Sequence, residues 1–324
     1  MRRGFATLAF AAVLAIGAVG YAAENGPPPW AFAANPLAPQ PAAPVADDGT
    51  QKHVANSSVG LTLSQIKDPF NIPEWHPDNH PAAPDIVTHG RKPGVLGCGY
   101  CHLPNGLGRP ENAALAGLPA AYITQQIADF RNGARNSAIP DLVPAKLMVG
   151  IAKAATDDDI KQAAEYFSGL SFTPWIRVVE AATVPKTHVA GYMLAPDAAG
   201  GSEPIGQRIV ETPENLAETE LRDSGSGFIA YVPPGSIKRG ERLVMKGGAG
   251  KSMPCGTCHG IDLKGLGPVP PLAGRSPSYV VRQLYDMQHG NRAGLWSPLM
   301  VGVVRDLTPE DLVDIAAYTA SRRP

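Results

Sequence analysis

The chain has 324 residues, room for two or three domains with cores of their own. Its 28 lysines and arginines against 29 aspartates and glutamates leave a formal charge of −1, which gives no electrostatic reason to expect nucleic acid or an acidic membrane surface as partner. With 33 prolines and 35 glycines, much of the chain must be loop or extended, and only 6% is aromatic.

The N-terminus reads as an export signal over residues 1–23. Arg2 and Arg3 precede an apolar run from Phe5 to Tyr21, and the small residues Ala22 and Ala23 stand before Glu24. Cleavage near Ala23 would bring the charge to −3. The competing reading is an uncleaved anchor, because the run of 17 residues reaches the lower limit for spanning a bilayer. Residues 24–80 form a Pro/Ala-rich extension. Its first part, to about residue 50, contains Pro27-Pro28-Pro29 and repeated Ala-Pro steps and is expected to be a flexible or polyproline spacer.

From residue 81 the chemistry begins. Cys98-Gly-Tyr-Cys101-His102 recurs as Cys255-Gly-Thr-Cys258-His259, and the two motifs use all four cysteines. Cys-x-x-Cys-His suits covalent haem c: two thiols on one turn can each form a thioether to a vinyl group, and the next residue sets an imidazole under the iron. A structural zinc site would need the pairs roughly 15 to 20 residues apart, whereas Cys101 and Cys255 are 154 apart. Neither pair lies beside a βαβ pattern, as a thioredoxin-like motif would. Ordinary disulfides would not explain a histidine after the second cysteine twice. Attachment of such haems takes place outside the cytoplasmic membrane, in agreement with the export signal. The porphyrin's own apolar surface also makes up for the scarcity of aromatics.

The repeat extends well beyond the motifs. An offset of 157 superimposes Leu115-Ala116-Gly117 on Leu272-Ala273-Gly274, Tyr122 on Tyr279, Asp129 on Asp286, Gly133 on Gly290 and Arg135 on Arg292. The offset then falls to 152, pairing Leu147-Met148-Val149-Gly150 with Leu299-Met300-Val301-Gly302, Thr156 with Thr308, Asp159 with Asp311 and Tyr166 with Tyr318. This is a duplicated domain, residues 81–172 and 235–324. Each copy predicts a helix with Ile123, Ile127 and Phe130, or Val280, Leu284 and Met287, on one face, ending at Gly133 or Gly290. A last helix opens on Thr156 with Asp159, or Thr308 with Pro309 and Asp311, which cap its free N–H groups. Its inward face is Ile160, Ala163, Ala164 and Phe167, matched by Leu312, Ile315, Ala316 and Thr319.

Between the copies, residues 173–234 contain Val178-Val179, His188-Val189-Ala190, Arg208-Ile209-Val210 and Phe228-Ile229-Ala230-Tyr231-Val232, separated by proline, glycine and acidic turns. They read as extended chain with a few short strands. The segment is a tether between the copies, a docking surface for a redox partner or a brace between haems.

The sixth position of each iron separates electron carriers from enzymes. Met148 and Met300 lie 50 and 45 residues beyond the first cysteine of their copies, in identical Leu-Met-Val-Gly settings. That separation lets the chain return on the far side of the porphyrin. Met287 answers to Phe130 on a buried face, Met253 is too close to Cys255, and Met193 and Met245 lack counterparts. His53, His76, His80, His89, His188 and His289 are not repeated either. The second ring nitrogen of each motif histidine is expected to donate to a carbonyl just beyond the loop, that of Pro110 or of Pro268.

These residues resemble the class I c-type cytochromes in their dihaem tandem form. The resemblance covers roughly residues 85–172 and 236–324 and rests on Cys98, Cys101 and His102 with Met148, and on Cys255, Cys258 and His259 with Met300. The long middle segment departs from the short link usual in tandem members. The resemblance implies an all-α fold of two tandem domains joined by a long extended segment with a few short strands. It also implies two covalent haem c groups with His/Met-ligated, low-spin iron. The function implied is a periplasmic carrier of single electrons, without substrate chemistry, in which electrons enter at one exposed haem edge and leave at the other. Its partners would be a redox donor and acceptor, candidates being a membrane-bound dehydrogenase or a terminal oxidase. Two other readings stand beside it: a dihaem cytochrome c peroxidase, and the haem-bearing subunit of a larger dehydrogenase.

Overall fold

A computed structural model describes residues 26–33 and 46–324. The export signal expected at residues 1–23 lies outside these. Among the described residues no helix is long and apolar enough to cross a membrane.

The first described segment is a helical turn, α1 (Pro29–Phe32), whose Ala31 and Phe32 are buried in the core of the second copy. At these residues the chain is packed rather than a free spacer, while residues 34–45 of the expected spacer lie outside the described residues. Phe32 packs edge-on against Tyr285, and the Ala31 carbonyl accepts a hydrogen bond of 2.6 Å from Arg282. Next come the short turns α2 (Leu63–Ile66), closed by a Thr62/Gln65 capping box, and α3 (Asp85–Thr88). The extension around α2 has a small core of Val54, Ile66 and Trp75. The Trp75 indole donates to the Leu221 carbonyl of the middle segment at 2.9 Å.

The first copy continues with α4 (Gly99–His102), α5 (Ala120–Arg131), α6 (Val143–Ala154) and α7 (Asp157–Gly169). α5 packs on both α6 and α7, and Val87, Ala116, Ala164 and Phe167 form the centre of the core. The cap expected at α7 is present in full, with the Thr156 hydroxyl accepting from the Asp159 N–H and the Asp159 carboxylate from the Thr156 N–H.

The middle segment is more ordered than extended chain. It runs β1 (Ile176–Glu180), β2 (Thr183–Pro185), β3 (Thr187–Ala190), β4 (Met193–Pro196), β5 (Ser202–Pro204), β6 (Val210–Pro213), α8 (Leu216–Glu220) and β7 (Phe228–Val232). β7 is central, parallel to β1 with Val178 opposite Ala230, and antiparallel to β6 with Thr212 opposite Ile229. β3 and β4 form a hairpin, and β2 pairs with β5. Phe228, Ala230 and Val232 alternate inward along β7, the period-2 pattern of a strand with one buried face. All-α therefore describes the two copies and not the whole chain.

The second copy comprises α9 (Ser236–Lys246), α10 (Gly256–His259), α11 (Pro277–Gln288), α12 (Ser297–Val304) and α13 (Pro309–Ala320). α11 falls on α5 at the 157 offset, and α13 repeats the Thr308/Asp311 capping box. The copies differ at their start: α9 has three turns, whereas the matching stretch of the first copy keeps only the single turn α3.

α9 lies across α13, and Gly240 sits at the crossing. A Cβ there would run into the backbone carbonyl of Asp314 and the side chain of Tyr318. Gly240→Val is therefore expected to destabilise the holoprotein by about 3 kcal/mol, the upper range for overpacking, read as a lowered denaturation midpoint. An unchanged midpoint would mean that the crossing is looser than this geometry.

Candidate haem sites

In each copy the motif forms a single helical turn, so the two cysteines and the histidine project from one short piece of backbone. None of the four cysteines is in a disulfide. Desolvation pushes the Cys98 thiol up to about 12 and the Cys255 thiol up to about 11. These values are opposite to the lowered ones of redox-active dithiols.

His102 and His259 are buried. Desolvation moves both below the ordinary imidazole range, so each ring is neutral. His102 Nδ1 lies 2.8 Å from the Ala113 carbonyl and His259 Nδ1 lies 2.7 Å from the Pro270 carbonyl. A carbonyl can only accept, so Nδ1 carries the proton and Nε2 keeps its lone pair. The expected acceptors, Pro110 and Pro268, are not used, and the Pro110 carbonyl instead accepts from Arg282. The loop explains the difference. Gly108 N–H returns to the His102 carbonyl, and the N–H groups of Leu115 and Ala116 both bond Gly106, so the chain doubles back before it passes the ring. In the second copy Gly265 bonds His259, and Leu272 and Ala273 bond Leu263. Both acceptors thus stand eleven residues after their histidine.

In the first copy Cys98, Cys101, His102 and Met148 line one cavity of about 280 Å³, with apolar walls that include Ile123 and Ile127. The Phe167 ring meets His102 edge-on at 6.4 Å. Met148 is carried on α6 and Met300 on α12. Met300 packs against the core of the second copy, as does Cys255. The residues present fit a flat, largely apolar macrocycle: paired thiols, an oriented imidazole nitrogen, a thioether and aliphatic walls.

Some residues of the first cavity had no signal in the motif search. Arg109 and Glu111, a buried ion pair at 3.1 Å, line it together with Tyr192 and Arg222 of the middle segment. At the 157 offset, Leu266 and Pro268 stand in place of Arg109 and Glu111.

The copies meet across a pseudo-twofold axis. Arg135 and Arg292 face each other in an isolated antiparallel bridge. Arg135 donates to Tyr279 (3.1 Å) and Gln283 (2.9 Å) of the other copy and to its own Gln126 (2.9 Å). Arg292 does the converse, with Tyr122 (2.6 Å), Gln126 (2.8 Å) and its own Gln283 (3.1 Å). All six of these residues are repeat-matched, which explains why arginine and tyrosine recur so far from the haem motifs.

Asp286, beside this network, accepts from the Ala138 N–H at 2.8 Å. Burial nevertheless pushes its carboxyl from 3.8 up to about 6. Below about pH 4 the group is protonated in both folded and unfolded chains and costs nothing. Between pH 4 and 6 only the unfolded chain ionises, so stability falls as pH rises, by on the order of 3 kcal/mol in full. Asp286→Asn is expected to remove that part of the fall. Denaturation midpoints at pH 4 and pH 7 would show it, and equal pH dependence in variant and parent would contradict it.

No family model matches the chain. Cytochrome c4 of Pseudomonas aeruginosa is 40% identical over 77 residues, 24% of this chain and 37% of that protein, so the match spans well under half the relative's length. The thiosulfate dehydrogenase electron acceptor of Thiomonas intermedia is 26% identical over 235 residues, covering 71% of this chain and 80% of the relative. Cytochrome c-554(548) of Halomonas halodenitrificans is 39% identical over 69 residues, 21% of this chain and 83% of the relative. The chain belongs to the c-type cytochromes. With two motifs, this cytochrome carries two covalently bound haem c groups, and its function is electron transfer.

Proposed function

We infer that this cytochrome is a periplasmic carrier of single electrons in which one iron is held between His102 and Met148 and the other between His259 and Met300. When bound, haem supplies the one-electron couple. The chain's own residues do the rest. Each imidazole is held as one tautomer by the carbonyl of Ala113 or Pro270, which strengthens its donation to a metal. The thioether of Met148 or Met300 would serve as the other protein ligand and would favour the reduced form relative to a second imidazole. Aliphatic side chains such as Ile123, Ile127 and Ile151 give the first site a largely apolar lining.

The observation that carries this reading is the shared geometry, in which a neutral, buried histidine is tied to the carbonyl eleven residues on in both copies. Two similar centres suit a relay, whereas a peroxidase needs one iron with a displaceable ligand. The bridge at Arg135 and Arg292 holds the copies in one arrangement, so the path between centres is fixed. A redox protein is the partner class. The name of the Thiomonas intermedia relative favours a dehydrogenase as donor.

An optical and potentiometric titration of the purified holoprotein tests the proposal. The expected result is two low-spin centres that bind no carbon monoxide when reduced. A high-spin centre at rest, or turnover with peroxide at enzymatic rates, would decide for the peroxidase.

A further inference from the structure

The two haem motifs are repeat-matched but differently covered. Of residues 101–110, eight are buried; of the matched residues 258–267, two are. Arg109 is 7% exposed where Leu266 is 62% exposed, and Pro104 is buried where Ile261 is 84% exposed. Cys101 is half-buried and Cys258 exposed. A haem at each motif would cover matched positions alike, so the difference comes from what else lies on the first copy.

What lies there is the middle segment. The tip of the β3–β4 hairpin, Gly191 and Tyr192, forms part of the cavity wall, as does Arg222. Three contacts fix this cover to the motif loop. The Arg222 guanidinium stacks on the ring of Tyr100, one of the two residues between the cysteines, at 3.7 Å and donates to its carbonyl at 2.6 Å. Arg109 reaches the sulfur of Met193, at the start of β4, at 3.2 Å. Asn105 donates to the Ser224 carbonyl at 2.7 Å. Thr257, Asp262 and Leu266 stand at the matched positions, and the first two are also exposed.

We propose that the middle segment is a shield that closes the first haem site to outside redox partners, so that electrons enter and leave through the second copy. The inference rests on the reading of both sites as electron-transfer centres. An outside one-electron donor is oxidised at the Cys258 face, one electron reduces the second iron, and transfer inward reduces the first and reoxidises the second. A second electron from the donor then fills the protein. Only electrons pass, so no proton or leaving group has to be placed. The first site becomes an internal store, in contrast to the through-route with one entry and one exit edge.

The test uses oxidised holoprotein and an uncharged gadolinium chelate as a soluble relaxation probe, read on the hyperfine-shifted haem methyl resonances. The two sets are assigned by the spectrum of Met300→Ala. Expected in the native protein is several-fold stronger relaxation of the second copy's methyls than of the first's. In the double variant Tyr192→Gly, Arg222→Ala the first set should approach the second while the second stays unchanged. Equal relaxation of both sets in the native protein would overturn the shield, and an unaltered first set in the variant would overturn the part given to Tyr192 and Arg222. A single variant, Arg222→Lys, keeps the charge and loses the stacking plane, and intermediate relaxation is expected should the double variant fold poorly. The ligand methionine methyl signals in the same spectra report ligation separately, so a failed shield and a failed ligand set are told apart.

Discussion

Replacing Met148 or Met300 by alanine is expected to open one iron to carbon monoxide and to lower the potential of that centre. Each variant should bind about one equivalent of carbon monoxide in the reduced state, and the native protein none. Loss of a soft thioether is expected to lower the potential by on the order of 0.1 V, within the ~0.8 V over which axial ligands set haem potentials. Alanine is the best helix former, so α6 and α12 should persist and the change should stay local. Optical titration with carbon monoxide and potentiometry of each variant give both quantities. An unchanged spectrum in Met148→Ala would remove Met148 from the ligand set.

The second large effect is expected at the axis between the copies. Arg135→Ala removes donors to Gln126, Tyr279 and Gln283 and a cation 4.5 Å from the Phe130 ring centre. Arg292→Ala removes the converse set. Each truncation takes the arginine donor from one tyrosine hydroxyl and one of the two arginine donors from both Gln126 and Gln283, so a loss of roughly 1–3 kcal/mol is expected for either. The double variant should lose more than the sum, because Gln126 and Gln283 keep one arginine donor in each single variant and lose both only together. Lysine should not rescue, since one ammonium cannot reproduce a planar fork that serves three acceptors. Guanidinium denaturation of the holoprotein measures these losses, and additive losses would show the two arginines to act independently.

Much of each copy was legible because its determinants are local. The Cys-x-x-Cys-His turns, the Thr/Asp caps of α7 and α13, and the periodic faces of α5 and α11 all depend on residues within a few positions of each other, and the duplication displays each signal twice. The carbonyls of Ala113 and Pro270 were missed by a few residues because the acceptor is set by how the loop doubles back, a matter of backbone bonds at Gly106, Gly108 and Leu263. The middle segment was legible as strands and not as sheets. Val178-Val179 and Phe228–Val232 carry strand patterns, but the parallel pairing of β1 with β7 joins stretches about fifty residues apart. Arg109, Glu111 and Arg222 escaped notice for the opposite reason: the repeat was the guide, and these residues break it. At the N-terminus, proline-rich composition suggested a spacer, while three apolar residues, Trp30, Ala31 and Phe32, suffice for docking once a partner surface exists.

That docking sets an order of assembly. Ala31 and Arg282 are bonded across 251 residues, so the second copy reaches its final packing only when a segment made much earlier returns to a helix made much later. Closing so long a loop is slow relative to forming the local turns. The earlier segment must therefore wait, unpaired, until the second copy has formed, and the packing of that copy is completed late.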